Sequence, residues 1–344
     1  MIPIQNIYYM LSYAFQVLNE QGYKNIATEQ FNNVAELCAA IMSKGIALQL
    51  KRGLGREYIE QTEALSSLRG RIEISESIKT RSMLKKQLIC SYDEFSVNSY
   101  MNRIIKTTME LLLHADISKT RKKEIRKLLV FFGEVEFLDV HAINWNVQYN
   151  RNNQTYRMLI SICYLVVKGL LQTNSDGTTR LMDFLDEQRM NRLYEKFILE
   201  YYAKECPQVT TTASQIPWAL DDGIGTMLPV MQSDIMLTRG SEVFIIDAKY
   251  YTHTMQTQYD VHTLHSANLY QIFTYVKNKD TEFGDKPHKV SGMLLYAATD
   301  EAIQLDNSYQ MSGNKISVKT LDLNRDFSEI AAQLNAIVDE HFPN

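Results

Sequence analysis

Apolar residues recur at helical spacing through the first fifty positions: Ile7, Met10, Leu11, Ala14, Phe15 and Leu18, then Val34, Leu37, Cys38, Ile41, Leu48 and Leu50. This period predicts a pair of helices, the first opening near Pro3 and Asn6 and ending near Gly22, the second over 31–50. Residues 52–80 are less regular, and Leu68-Arg69-Gly70-Arg71-Ile72-Glu73-Ile74 reads as a turn entering an alternating strand. Helical periodicity returns over 92–113 (Met101, Ile104, Ile105, Met109, Leu112), with Asp93 and Glu94 at its start. Ser118 then caps a short helix whose narrow stripe, Ile125, Leu128 and Leu129, is surrounded by Lys119, Arg121, Lys122, Lys123, Arg126 and Lys127. A solvated face is the plainer account of those cations; nucleic-acid backbone or an acidic partner is the functional one. Arg69 and Arg71 carry the same two readings, phosphate contact or an ion-paired surface. Alternation over 135–147 predicts a strand, and 158–171 a core helix.

The polar run Thr173-Asn174-Ser175-Asp176-Gly177-Thr178-Thr179 is the clearest loop in the chain and is taken as the domain boundary. After it come a helix over 190–204 carrying Glu195, a strand over 209–216, two strands meeting in a hairpin at Gly240-Ser241, and a helix over 266–276. Strands over 289–298 and 315–323 and an amphipathic helix over 327–338 follow. The pattern predicts a mostly helical α+β N-terminal domain, residues 1–180, followed by an α/β domain with a central mixed sheet, residues 181–344.

Composition narrows the picture. A chain of 344 residues exceeds the usual single-domain size. A net charge of −4 excludes holding nucleic acid by bulk electrostatics alone, so any such contact needs a local patch or a partner. Cys38, Cys90, Cys163 and Cys206 are far apart and form no CxxC, which suggests neither a zinc site nor a disulfide framework. No apolar run approaches membrane-spanning length and the N-terminus lacks a secretory pattern, so a cytoplasmic protein without a membrane partner is expected.

The candidate chemistry lies in 231–251. Val243-Phe244-Ile245-Ile246 is an apolar run of strand length that continues into Asp247-Ala248-Lys249. Alternation puts Asp247 and Lys249 on one face. A two-residue Gly240-Ser241 loop of type II′ sets Arg239 against Glu242 and, counting back, Asp234 opposite Asp247. Like charges at that distance need a cation or a shared proton, and hard oxygen ligands suit magnesium. In the helix over 266–276, Leu269, Ile272, Phe273 and Val276 form an apolar stripe, while Asn268, Gln271 and Tyr275 form a polar face able to overlook substrate or to be solvated. Glu195, off the apolar stripe of its helix, is either a solvated residue or an added acidic contact.

Asp234, twelve intervening residues, Asp247-Ala248-Lys249 and a helix with Gln271-Ile272-Phe273-Thr274-Tyr275 resemble the PD-(D/E)xK nuclease superfamily, in particular members with a QxxxY helix. Ser233 stands where the motif name has proline. Ile4-Gln5-Asn6-Ile7-Tyr8-Tyr9-Met10-Leu11, Gly70-Arg71-Ile72-Glu73, Asn102-Arg103-Ile104-Ile105-Lys106, Asn191-Arg192-Leu193-Tyr194-Glu195-Lys196-Phe197, Met227-Leu228-Pro229 leading to Asp234, and Asp247-Ala248-Lys249-Tyr250-Tyr251 resemble, in this order, the McrC family. That resemblance implies an endonuclease domain at 181–344 and an N-terminal domain docking onto a McrB-like AAA+ GTPase ring that recognises methylcytosine-containing double-stranded DNA. The mechanism expected is phosphodiester hydrolysis with Mg2+, for which Mn2+ can substitute, held by Asp234, Asp247 and the Ala248 carbonyl. Lys249 orients or activates water, with Gln271, Tyr275 and Glu195 in supporting roles. Two other readings stand beside it: a non-catalytic subunit that stimulates a partner AAA+ GTPase, since this chain has no P-loop of its own, and a carboxylate-pair glycoside hydrolase, in which Lys249 has no task.

Overall fold

The computed structural model describes residues 2–19, 23, 26, 29–151, 153–173, 187–251, 255–258, 261–298 and 305–343. The chain divides into two compact units, one of Phe31–Phe184 and one of Met1–Gln30 with Leu185–Asn344. In chain order the elements begin with α1 (Ile4–Ala14), α2 (Val34–Arg52), β1 (Glu57–Leu65), β2 (Arg71–Ile72), α3 (Ile74–Lys79), β3 (Leu88–Ser96), α4 (Tyr100–His114), α5 (Lys119–Leu129) and α6 (Tyr156–Thr173). They continue with α7 (Glu187–Glu205), β4 (Thr210–Thr212), β5 (Gln215–Ile216), β6 (Met231–Gln232), β7 (Ile235–Arg239), β8 (Glu242–Lys249), β9 (Met255–Gln258) and β10 (Val261–Leu264). Last are α8 (Ser266–Thr281), β11 (Lys289–Ala297), β12 (Asp306–Met311), β13 (Asn314–Leu321) and α9 (Phe327–His341). Among the described residues no helix is long and apolar enough to cross a membrane.

The unit of residues 31–184 is mainly helical. Asn33, Ser99 and Ser118 cap α2, α4 and α5, each accepting from a backbone N–H three residues on, which satisfies a donor that the first turn leaves open. Leu37, Cys38 and Ile41 of α2, Ile104, Met109 and Leu112 of α4, and Ile162, Cys163 and Val166 of α6 are fully buried and form its core. A small antiparallel sheet in the order β1-β3-β2 completes the unit. Gly70 is required at its turn: φ is +68° and a Cβ there would lie 2.3 Å from the Ser91 carbonyl oxygen.

Several expectations for this half are corrected. The strand expected from Leu68 onward is only the two residues of β2, because Ile74 begins α3. Asp93 and Glu94 are not a helix start; they lie in β3, paired with Glu60 and Ile59 of β1. Residues 135–147 form no strand. Their backbone is served by side chains of α4 and the turn before it: Glu136 N–H donates to Asn98 Oδ1, Leu138 N–H to Thr107 Oγ1 and Asn144 N–H to Tyr100 Oη, while Lys106 Nζ donates to the carbonyls of Phe132 and Val135. Those bonds take the place of a ladder. Of the loop over 173–179, residues 174–179 lie outside the described residues.

The first helix belongs to a different unit from the second, so the expected 1–180 domain loses its start. Asn6, buried, donates from Nδ2 to the carbonyls of Leu323 and Arg325, both at 2.8 Å, and Tyr9 stacks on Phe327 at 4.5 Å. A buried amide satisfied by backbone at 323 and 325 ties α1 to the sheet-bearing unit.

That unit is built on a mixed six-stranded sheet in the order β12-β13-β11-β8-β7-β4. Neighbours β8, β11 and β13 run parallel, and the hairpin partners β7–β8 and β12–β13 run antiparallel. The central strands are buried and apolar, as two-sided cover requires. On one face Tyr202 Oη donates to the Leu334 carbonyl and Tyr201 Oη lies 3.0 Å from Asn335 Oδ1, joining α7 to α9. Phe244 of β8 stacks on His341 of α9 at 3.7 Å. On the other face α8 lies so close to β11 that a Cβ on Gly292 would sit 2.6 Å from Val276 Cγ2 and 2.9 Å from Ile272 Cγ1.

Candidate active site

The β7–β8 register is Arg239↔Glu242 through Ile235↔Ile246. It runs as the two-residue loop demands, with Gly240 at φ +61° and Ser241 on the ordinary side of the map. One step beyond the last pair are Asp234 and Asp247. The strand expected over 230–237 breaks there into β6 and β7, and the break is held by Ser233: its N–H donates to the Ser214 carbonyl at 3.0 Å and its hydroxyl to the same oxygen at 3.1 Å. The residue in the proline position therefore works through an N–H that proline lacks. Freed from the ladder, Asp234 turns its carboxylate onto the next peptide, accepting from Ala248 N–H at 3.0 Å.

Alternation then decides which face carries the charges. Met236, Val243 and Ile245 pack in the same buried cluster as Ile272, Tyr275 and Val276 of α8, so Asp234, Asp247 and Lys249, of the same parity, lie on the α8 face. Asp247 is 1% exposed. Lys249 Nζ donates to Asp247 Oδ1 at 2.9 Å, stands 2.9 Å from Oδ2, and is 3.8 Å from Asp234 Oδ2. Oδ1 takes the hydrogen bond, and the buried Oδ2 is held by the same ammonium as an ion pair. One ammonium thus serves two carboxylates.

Burial raises the pKa of both aspartates, for Asp247 with the Asp234 charge adding to it and Lys249 only partly offsetting it. Protonating one carboxyl lets the pair hydrogen-bond to each other. Burial by itself would lower the Lys249 pKa, but the Asp247 and Asp234 carboxylates outweigh it and hold the ammonium protonated. Glu195 belongs to the same electrostatic group: burial first, then the Asp234 charge, pushes its carboxyl up to about 7. Asn191, one turn earlier on α7, bonds through Nδ2 to Glu195 Oε1 and accepts the Tyr250 N–H at 2.7 Å, fixing the chain just after Lys249.

The α8 residues sit differently from the sequence expectation. Tyr275 and Asn268 are buried, not on an open polar face. Gln271 Nε2 donates to Tyr275 Oη at 2.9 Å, and neither has a hydrogen bond to the acidic residues among the described residues. Asn268 instead donates to Tyr296 Oη at 3.0 Å and accepts from Tyr251 Oη. Tyr296 stands beside Lys249 in the β8–β11 register, which sets this polar trio next to the charged group. Sequence reading passed over Asn191, Tyr251 and Tyr296 as site residues. Asn191 had a usable signal in its four-residue spacing from Glu195, whereas Tyr296 comes from a distant strand in a parallel pairing that no local pattern encodes.

A hard cation fits this donor set. Two carboxylates, that of Asp247 buried, face one another and share a single ammonium, and all the charged donors are oxygen. Among the described residues no three His, Cys, Asp or Glu side chains gather into a closed cage, so water or substrate oxygens must complete the shell, as is usual for magnesium.

A family model described as McrBC 5-methylcytosine restriction system component matches residues 5–297. The Type IV methyl-directed restriction enzyme EcoKMcrBC of Escherichia coli (strain K12) is 29% identical over 346 residues, covering 99% of this chain and 98% of that protein. The chain is also similar to a chain in the refined half-complex from the tetradecameric assembly of Thermococcus gammatolerans McrB AAA+ hexamers with bound McrC, with TM-score 0.49, 17% identity, and coverage of 97% and 76% of the two chains. A match to the cryo-EM structure of the Thermococcus gammatolerans McrBC complex has TM-score 0.41 and 19% identity, covering 59% and 58%.

Proposed function

The chain belongs to the family of McrBC 5-methylcytosine restriction system components, and from that premise we propose that it is the nuclease subunit of a GTP-driven restriction complex, a metal-dependent endonuclease of the PD-(D/E)xK superfamily cutting methylcytosine-containing double-stranded DNA. The observation that carries the reading is the β7–β8 hairpin, which buries Asp247 beside Asp234 with one ammonium, Lys249, shared between the two carboxylates. A purely structural strand gains nothing from that arrangement. Asp234 and Asp247, with the Ala248 carbonyl as a further oxygen, would hold Mg2+ or Mn2+. The chemistry such an ion supplies when bound is polarisation of a phosphoryl oxygen and a lowered pKa for water.

The chain's own groups divide the remaining work. Ala248 N–H fixes the Asp234 carboxylate. Lys249, held protonated by the two aspartates, is a donor: it orients water and stabilises charge developing on phosphate. Glu195, kept in place by Asn191, extends the acidic end of the site, and Gln271, braced by Tyr275, positions water or DNA backbone. The unit of residues 31–184 docks the partner, a McrB-like AAA+ GTPase ring, as the family resemblance implies; targeting to modified DNA and GTP hydrolysis belong to that partner.

Asp247→Asn and Lys249→Ala proteins, assembled with the partner and supplied with GTP and magnesium on methylated DNA, test this. The expected result is loss of cleavage by about a hundredfold or more with stimulation of partner GTP hydrolysis retained. Cleavage at the wild-type rate removes the nuclease assignment and leaves the interaction-subunit reading in its place.

A further inference from the structure

Outside the hairpin, α5 concentrates six cations in eleven residues. Lys119, Lys122, Lys123, Arg126 and Lys127 follow the spacing i, i+3, i+4, i+7, i+8, so they form one face, opposite the buried Ile125. None of the five has a carboxylate partner among the described residues, whereas Lys79, Lys277, Lys279, Lys315 and Lys319 each hold one. The sixth cation of the helix, Arg121, is used internally: it pairs with Glu124 at 2.7 Å and approaches Glu36 of α2 at 3.8 Å. Glu36 also accepts from Ser118 N and Oγ, both at 2.7 Å, clamping the start of α5 to α2. The helix is fixed from one side and left as a bare cationic ladder on the other.

This arrangement works against the helix itself. Lys119 and Lys123, Lys122 and Arg126, and Lys123 and Lys127 are like-charge neighbours four residues apart, and the basic first turn opposes the helix dipole. A chain of net charge −4 has acidic residues enough to neutralise this face, yet among the described residues the one carboxylate of α5, Glu124, is turned to Arg121. A polyanion relieves the repulsion. The ladder rises about 12 Å from Lys119 to Lys127, which matches the axial rise of roughly three to four base pairs of duplex DNA. Four of the five cations are lysines, which meet phosphate as point charges, and phosphate contacts carry no sequence information.

We propose that the exposed face of α5, formed by Lys119, Lys122, Lys123, Arg126 and Lys127, is a sequence-independent contact for the DNA phosphate backbone. It rests on the reading of this chain as a component acting on DNA, and it adds a binding surface on the unit that lacks the carboxylate hairpin. Such a contact holds duplex to the subunit independently of base recognition by the partner.

The test uses the full chain in EDTA with a fluorescent 30-base-pair unmethylated duplex, comparing wild type with a variant carrying Lys122→Gln, Lys123→Gln, Arg126→Gln and Lys127→Gln. Binding is measured by anisotropy across a salt series. The expected result is a slope of log K against log salt shallower by about 3, and affinity at 50 mM salt reduced at least about tenfold. The melting temperature of the variant stays level, because relief of like-charge repulsion offsets the loss of Arg126 and Lys127 from the last turn, so a fall in binding is not a folding failure. An unchanged slope and affinity overturn the proposal. So does a variant that binds duplex like wild type but no longer associates with the GTPase, which assigns the face to an acidic protein surface. Because the assay contains no metal and reads no cleavage, the effect of α5 stands or falls separately from Asp247 and Lys249.

Discussion

His341 closes α9 against the strand that carries Asp247, and its protonation offers a quantitative test of that packing. The ring stacks on Phe244 with centroids 3.7 Å apart and planes 13° from parallel. Nδ1 lies 2.9 Å from the Ile337 carbonyl, which requires the Nδ1–H tautomer, and the buried Nε2 then presents a lone pair with no partner. Protonation would add a charge and a donor in that space. Burial therefore holds the imidazole down to about 4, with the Ile337 carbonyl and Glu340 opposing the shift and Lys315 and Lys319 adding to it. In the unfolded chain the group titrates near 6.5. Between those values the unfolded state binds a proton that the native state refuses, so stability is complete above about 6.5 and falls as the pH drops toward 4. Two and a half pH steps at ~1.36 kcal/mol each give a loss of roughly 3 kcal/mol. His341→Phe keeps the stack and cannot titrate. At pH 7.5 it is expected to be less stable than wild type by about 0.5–1.5 kcal/mol for the lost hydrogen bond; at pH 4.5 it is expected to be the more stable of the two by roughly 1–2 kcal/mol. Urea titrations of both proteins at pH 4.5, 6 and 7.5 measure the difference, in which titrating groups distant from His341 largely cancel, while its neighbour Glu340, lowered to about 2 by Lys315 and Lys319, stays ionised across the range. A difference that does not change with pH refutes the reasoning.

Two substitutions probe how the hairpin and α8 are held. Ser233→Pro installs the residue of the motif name, yet it is expected to destabilise by about 1–3 kcal/mol and to reduce cleavage, because it removes the N–H and hydroxyl bonds to Ser214 that aim Asp234; equal or higher melting temperature and activity would falsify that account. Gly292→Ala places a methyl 2.6 Å from Val276 Cγ2, and overpacking of about 1–3 kcal/mol is expected from thermal unfolding, while a neutral result means α8 sits further from β11.

The hairpin was legible from the sequence because its information is local. A two-residue Gly-Ser loop fixes register, register fixes which residues oppose, and alternation fixes faces; Arg239↔Glu242 and the position of Asp234 beside Asp247 follow without knowledge of any other strand. The helices with a periodic stripe, α2, α4, α6, α7 and α9, were legible for the same reason. What escaped depends on distant partners. β1 and β3 are half-exposed strands with mixed composition, defined by their pairing with each other. β12 is a polar edge strand whose only order comes from β13. Residues 135–147 alternate like a strand but found side-chain partners in α4 instead of a ladder. The polar face expected on α8 was misjudged because amides and phenols can be buried when they satisfy each other, as Asn268, Tyr296 and Tyr251 do. Glu195 looked like a solvated helical residue on period alone, and only the fold brings it under the field of Asp234.

The placement of the charges bears on why β8 tolerates them. Along this strand every residue from Val243 to Ala248 is buried, and all but Asp247 are apolar. Each residue on the other parity packs conventionally, Phe244 against His341 and Ala248 with no exposed surface. The violation is therefore confined to one face and to the end of the strand, where the ladder to β7 has already stopped at Ile235↔Ile246. Ending the ladder one residue early frees Ala248 N–H to hold Asp234, so the same local break that admits a second carboxylate also orients it. Replacing the charged trio by apolar residues of similar size would relieve buried like-charge repulsion and supply packing in its place. Local rules broken at one compact point, with consistent packing on every side, mark a place where stability is subordinate to function.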